Sequence, residues 1–112
     1  LAEDVQPGTH VDLVGAFSPS MRESEGALLS QASVFADTMA GARAEAGDIL
    51  QAVDEGCLTF ADIKADFFGL ARKNHIGRSS ANEITLFKSV GAAIEDLAAA
   101  AAIHRWSQKA PD

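Results

Sequence analysis

Apolar and polar positions alternate between two periods along this chain. His10-Val11-Asp12-Leu13-Val14-Gly15-Ala16-Phe17 is β-favouring and follows the turn signal Gln6-Pro7-Gly8, which predicts a strand ending at Gly15 or Ala16. Ser18-Pro19 reads as a helix cap with proline at the first helical position, and Glu23 and Glu25 fall in the early part of a short helix through about Gln31. Ser33-Val34-Phe35-Ala36-Asp37 is a second short, bounded, apolar strand. Thr38 caps a helix whose apolar positions Ala42, Ala46, Ile49, Leu50 and Val53 form one stripe before Gly56 stops it.

The spacing of Ile63, Phe67 and Leu70 predicts a shorter helix over Phe60 to Leu70, followed by a loop from Arg72 to Asn82 around Gly77. Glu83 to Lys88 is the third strand. Ser89 then caps the longest helix, with Val90, Ile94, Leu97 and Ala101 on one face and the cations His104, Arg105 and Lys109 at its C-terminal end, where the helix dipole favours them. Strands that alternate with helices predict a parallel α/β sheet, because parallel neighbours need a crossover to return the chain. Three strands make only half of a doubly wound sheet, so the chain is expected to be part of a larger fold.

Charge and composition narrow the partners. Sixteen acidic against nine basic residues give a formal charge of −7, which disfavours a nucleic-acid backbone or an anionic membrane. The single cysteine, Cys57, leaves no intrachain disulfide and fits a reducing cytoplasm; it reads as a small buried or half-buried filler. The longest apolar run, Leu97 to Ile103, is too short to span a bilayer. His10, His75 and His104 are too scattered for a metal site, so no metal is expected. Trp106 reads as a packing or dimer contact.

None of the nine glycines forms even a G-x-G pair, so the loop that carries a dinucleotide pyrophosphate is not in this sequence. Walker-type, H-E-x-x-H and G-x-S-x-G motifs are also missing. One polar residue stands out. Lys88 ends an otherwise apolar strand, a costly place for an ammonium unless it meets a ligand or an acid.

Several blocks carry a resemblance. Val14-Gly15-Ala16-Phe17-Ser18-Pro19-Ser20-Met21-Arg22-Glu23, Ala36-Asp37, Glu45-Ala46-Gly47-Asp48 and Asn82-Glu83-Ile84-Thr85-Leu86-Phe87-Lys88-Ser89-Val90-Gly91, followed by Ala93-Ile94-Glu95-Asp96, resemble the ornithine cyclodeaminase/mu-crystallin family in the same order. The resemblance implies a homodimeric, NAD- or NADP-dependent enzyme acting on a small imino or amino acid. Residues 1–90 would be the second half of its Rossmann domain, and 91–112 a C-terminal helix returning towards a substrate and dimerisation domain. The glycine-rich loop would lie upstream, so the chain alone is expected to be inactive.

The resemblance also implies residue roles. Val14, Gly15, Ala16, Lys88 and Ser89 would contact the cofactor, with Gly15 allowing the nicotinamide near the backbone and Ser89 bonding its carboxamide. Phe17, Ser18 and Glu45 would line the substrate pocket. Cyclodeaminases of the family carry an aspartate acid/base where this chain has Phe17, and an aromatic ring cannot move a proton. The Ala-Phe-Ser-Pro-x-Met-Arg-Glu version is similar to the Δ1-pyrroline-2-carboxylate reductases. Ornithine cyclodeaminase, alanine dehydrogenase and a non-catalytic binding protein of the mu-crystallin kind are the alternatives.

Overall fold

The structure, a computed structural model, describes residues 1–108; Lys109 of the predicted basic cluster and the rest of the 91–112 segment beyond Gln108 lie outside the described residues. After a 3-10 turn at Ala2–Asp4, the chain forms strand β1 (His10–Leu13), helix α1 (Gly26–Gln31), β2 (Ser33–Ala36), α2 (Met39–Ala44), α3 (Gly47–Asp54), β3 (Ala65–Asp66), α4 (Phe67–Ala71), β4 (Thr85–Lys88) and α5 (Ala93–Ser107). The four strands are parallel in the order β1-β4-β2-β3.

Side-chain alternation divides the sheet into two faces. Val11, Leu13, Val34, Ala36 and Leu86 belong to the main core, with Leu28 and Leu29 of α1, Ala42 of α2, and Ile49 and Ala52 of α3. Val34 and Leu86 pair in register and are fully buried, so removing either side chain would cost roughly 2 to 5 kcal/mol. The other face is aromatic. Phe67 stacks on Phe87 at 4.8 Å, His75 meets Phe35 edge-on at 5.3 Å, and a cavity of about 350 Å³ lies among His10, Phe35, Leu70, Arg78, Thr85 and Phe87.

The parallel α/β layout and the long C-terminal helix are as predicted, and several boundaries are not. β1 ends at Leu13, short of Gly15, because its neighbour β4 ends at Lys88 and the last bond between them is Ser89 N–H to Leu13 O, 2.9 Å. β4 begins at Thr85 instead of Glu83, whose carboxylate is bound by Ser33, Ser79 and Ser80. No helix starts at Pro19: Met21 closes a turn onto Ser18, and the amides of Glu23 and Ser24 go to a side chain, so α1 waits until Gly26.

The helix predicted after Thr38 is two helices. Thr38 does cap the first, accepting the Gly41 amide at 3.0 Å. The Glu45 and Ala46 amides both turn back to Gly41 O, and the Gly47 amide leaves the ladder for Ala16 O. Between Phe60 and Leu70 the expected helix is instead a turn, the fourth strand β3 and the short α4. Ile63 is buried as its spacing suggested, but Lys64 N–H bonds Val34 O at 2.8 Å and draws the backbone into the sheet.

The last helix starts at Ala93 with Ala92 as its cap, so Ser89 does not cap it. Nor does it bury an apolar face: Ile94, Leu97 and Trp106 are exposed, and Trp106 packs on no core within this chain. Cys57 is half-buried.

Candidate active site

The C-terminal ends of β1, β2 and β4 share one rim, since Leu13 and Ala36 both pair with Lys88. Open α/β sheets bind ligands at this edge. Three segments leave the rim: the irregular loop 14–25 after β1, Asp37-Thr38 after β2, and Ser89 to Ala92 after β4.

Lys88 is fully buried, and its ammonium is held by two carboxylates, Glu23 Oε2 at 2.9 Å and Asp48 Oδ2 at 3.2 Å. The Asp48 contact lies off the hydrogen-bonding directions, so it is ionic only. The other oxygen of Asp48 accepts the amides of Glu23 and Ser24, each at 2.8 Å, and the Ser24 hydroxyl at 3.2 Å. A buried ammonium is costly unless paired and hydrogen-bonded, and these contacts meet that requirement. Glu23 also explains Gly15: a Cβ there would stand 2.5 Å from Glu23 Oε1, so the carboxylate fills the space a side chain would need.

Asp37 organises the opposite side of the rim. Buried after β2, it accepts the Thr38 amide at 2.6 Å on one oxygen. On the other it accepts the Ser89 hydroxyl at 3.1 Å and the amides of Val90 and Gly91 at 2.8 and 3.1 Å. One carboxylate thereby fixes the whole turn that follows β4.

The sequence-selected residues fall into three groups. Val14, Gly15, Ala16, Phe17 and Ser18 follow β1, and Lys88 and Ser89 end the adjacent β4, so these seven meet at one edge. Val14 and Phe17 present their side chains to the exterior, Phe17 being 58% exposed, whereas Ala16 is buried. Lys88 reaches the rim through its backbone, its ammonium being engaged beneath the loop. Glu45 is exposed at the junction of α2 and α3, two residues before Gly47, whose amide bonds Ala16 O.

Sequence reasoning gave no role to Glu23, Asp37, Gly47 or Asp48. The signal was the lysine itself, since an ammonium in an apolar strand is costly unless it meets a ligand or an acid, and Asp48 is the one charged residue among the buried positions of α3. Among the described residues, no three His, Cys, Asp or Glu side chains are grouped to hold a metal, and no helix is long and apolar enough to cross a membrane.

The rim carries exposed apolar side chains at Val14 and Phe17, while Ser89 beside them is buried, its hydroxyl donating to Asp37 and accepting the Gly91 amide at 3.1 Å. The chain carries no glycine-rich phosphate loop.

Comparison with known proteins gives a consistent picture. Residues 1–110 match the ornithine cyclodeaminase/mu-crystallin family. The Delta(1)-pyrroline-2-carboxylate reductase of Paracoccus denitrificans is 39% identical over 101 residues, which is 90% of this chain and 32% of that protein. The structure of the Thermococcus litoralis Delta(1)-pyrroline-2-carboxylate reductase in complex with NADH and L-proline matches with a TM-score of 0.81 at 34% identity, over 85% of this chain and 29% of the other. An archaeal alanine dehydrogenase dimer with bound NAD matches with a TM-score of 0.82 at 31% identity, over 99% and 35% of the two chains. The chain spans about a third of the length of the curated relatives it matches.

Proposed function

The chain belongs to the ornithine cyclodeaminase/mu-crystallin family, and from that premise we propose that the whole protein is an NAD(P)H-dependent reductase of a cyclic imine bearing a carboxylate, of the Δ1-pyrroline-2-carboxylate type. In this reading residues 1–90 are the second half of the cofactor-binding Rossmann domain, and 91–112 return towards a substrate and dimerisation domain. The protein acts in the cytoplasm as a homodimer. When bound, the cofactor supplies the electron pair that reduces the C=N bond.

The chain's own residues would do the holding. Val14, Gly15 and Ala16 form the backbone wall against the nicotinamide, and the Ser89 hydroxyl, oriented by Asp37, meets its carboxamide. Phe17 is the apolar wall against the imine ring, with Ser18 beside it and Glu45 at the margin. Lys88 acts from beneath, through the loop it anchors.

The observation that carries the reading is the exposed Phe17 ring at the strand-end rim, two residues past Gly15. A carboxylate at that position could exchange a proton with a substrate amine, as a cyclodeaminase needs; a phenyl ring can only pack. The test is to supply the whole protein with NADPH or NADH and Δ1-pyrroline-2-carboxylate and to follow loss of the reduced-nicotinamide absorbance. Turnover is expected with the imine and none with ornithine. Ammonia release from ornithine without net cofactor consumption would replace the reductase by the lyase.

A further inference from the structure

The loop that carries Val14, Phe17 and Ser18 contains neither helix nor strand from Val14 to Glu25. Left to itself, such a segment would have to be ordered each time a ligand arrived, at roughly 1 to 2 kcal/mol for every residue fixed. It is already fixed, and chiefly by one element.

Helix α3 holds the loop along its length. The Gly47 amide donates to Ala16 O at 3.1 Å. Asp48 takes the amides of Glu23 and Ser24, and Gln51 Nε2 donates to both Pro19 O and Met21 O at 2.9 Å. Ala16, Pro19, Met21, Glu23 and Ser24 thus each give a backbone group to the first turn and a half of α3. The seat is also tight: a Cβ on Gly47 would run into the carbonyl oxygens of Met21 and Ser18, both backbone atoms with little freedom to move aside. From below, Lys88 joins Asp48 to Glu23 and couples the seat to the end of β4.

We infer that the start of α3 is a preformed seat for the substrate-facing loop, and that Gly47, Asp48 and Gln51 are positioning residues for Phe17 and Ser18. The inference rests on the reductase reading for what the loop faces; the seat itself rests on these contacts. None of the three residues needs to touch substrate. Their effect is to hold the pocket wall in register with the reacting carbon, where a misplacement of about 1 Å can cost a factor on the order of 100 in rate.

The test uses Gly47→Ala, Asp48→Asn and Gln51→Ala in the whole protein. Gln51 is only half-buried, so its truncation leaves a folded chain even where the other two variants fail to fold. Amide hydrogen exchange is measured over residues 16–24, together with turnover, KM and the deuterium isotope effect with reduced cofactor labelled at the transferred position. The expected result is loss of protection confined to the loop, turnover lowered on the order of tenfold, and a changed isotope effect. A merely destabilising change lowers the active fraction but leaves the isotope effect of the folded enzyme alone.

Unchanged exchange at residues 16–24 in the folded variants overturns the seat. Lost protection with wild-type turnover and isotope effect overturns its positioning role. Absence of any imine reduction by the wild-type protein counts against the proposed function instead, and loop exchange in the variants still decides whether the seat exists.

Discussion

Loop 14–25 and helix α5 invert the usual relation between regularity and order. α5 is the longest element, with fifteen residues, yet none of them is buried and Leu97 is 67% exposed. The loop has no repeating structure, yet its backbone is bonded to α3 at five residues and underlain by a buried ion cluster. A helix satisfies its own interior backbone groups and so stays regular without burying a face, whereas an irregular segment keeps one conformation only when other elements supply its partners. The site can therefore reside on a loop without being loose.

Three changes break or sharpen this contrast. The largest effect is expected from Lys88→Ala, which strands Asp48 and Glu23 without a counter-charge beneath the loop. Unfolding free energy from denaturant titration should fall by about 3 to 5 kcal/mol, because losing one partner of a buried pair leaves an uncompensated charge. A loss below about 1 kcal/mol would mean that the cluster does not anchor the loop.

The second change concerns the opposite end of the strands, where Glu83 ties loop 72–82 to β2 from the surface. The Ser33 hydroxyl, then the Ser79 amide and hydroxyl and the Ser80 amide, hold its carboxyl at about 2, against an ordinary 4.5. A depressed folded-state value stabilises the fold above the unfolded pKa, so this contribution is present above about pH 4.5 and is lost as pH falls from there towards about 2. Glu83→Gln should flatten the dependence of Tm on pH within that window, and identical profiles would remove the serine cage as its cause. Glu83 is only half-buried, so the effect should be smaller than that of the fully buried Lys88.

The smallest effect is expected from Leu97→Ser in α5. With no core contact to lose, the stability of this chain should move by less than about 0.5 kcal/mol in the same titration. If the substitution instead unfolded the chain, α5 would be as firmly held as the loop, and the contrast would disappear.

Sequence patterning was enough for whatever depends on neighbours along the chain. The parallel α/β class, the cores of β1, β2 and β4, the Thr38 cap and the convergence of Phe17 and Lys88 at one edge all follow from periodicity and turn chemistry. That Lys88 must meet a ligand or an acid was also legible. Which of the two was not, because Glu23 lies 65 residues earlier in the sequence. The split between α2 and α3, the missing helix at Pro19 and the β-strand at Ala65–Asp66 share that cause: in each, a backbone group that could have served a local helix is taken by a distant partner, Ala16, Asp48 or Val34. Local propensity differs between such alternatives by only about 1 kcal/mol per residue, so long-range contacts decide them. The sequence alone determined that a parallel sheet would bring a particular set of side chains to its C-terminal edge; tertiary structure decided how that edge is held, because a charge pair and a hydrogen-bonded seat exist only once residues far apart in the chain have come together.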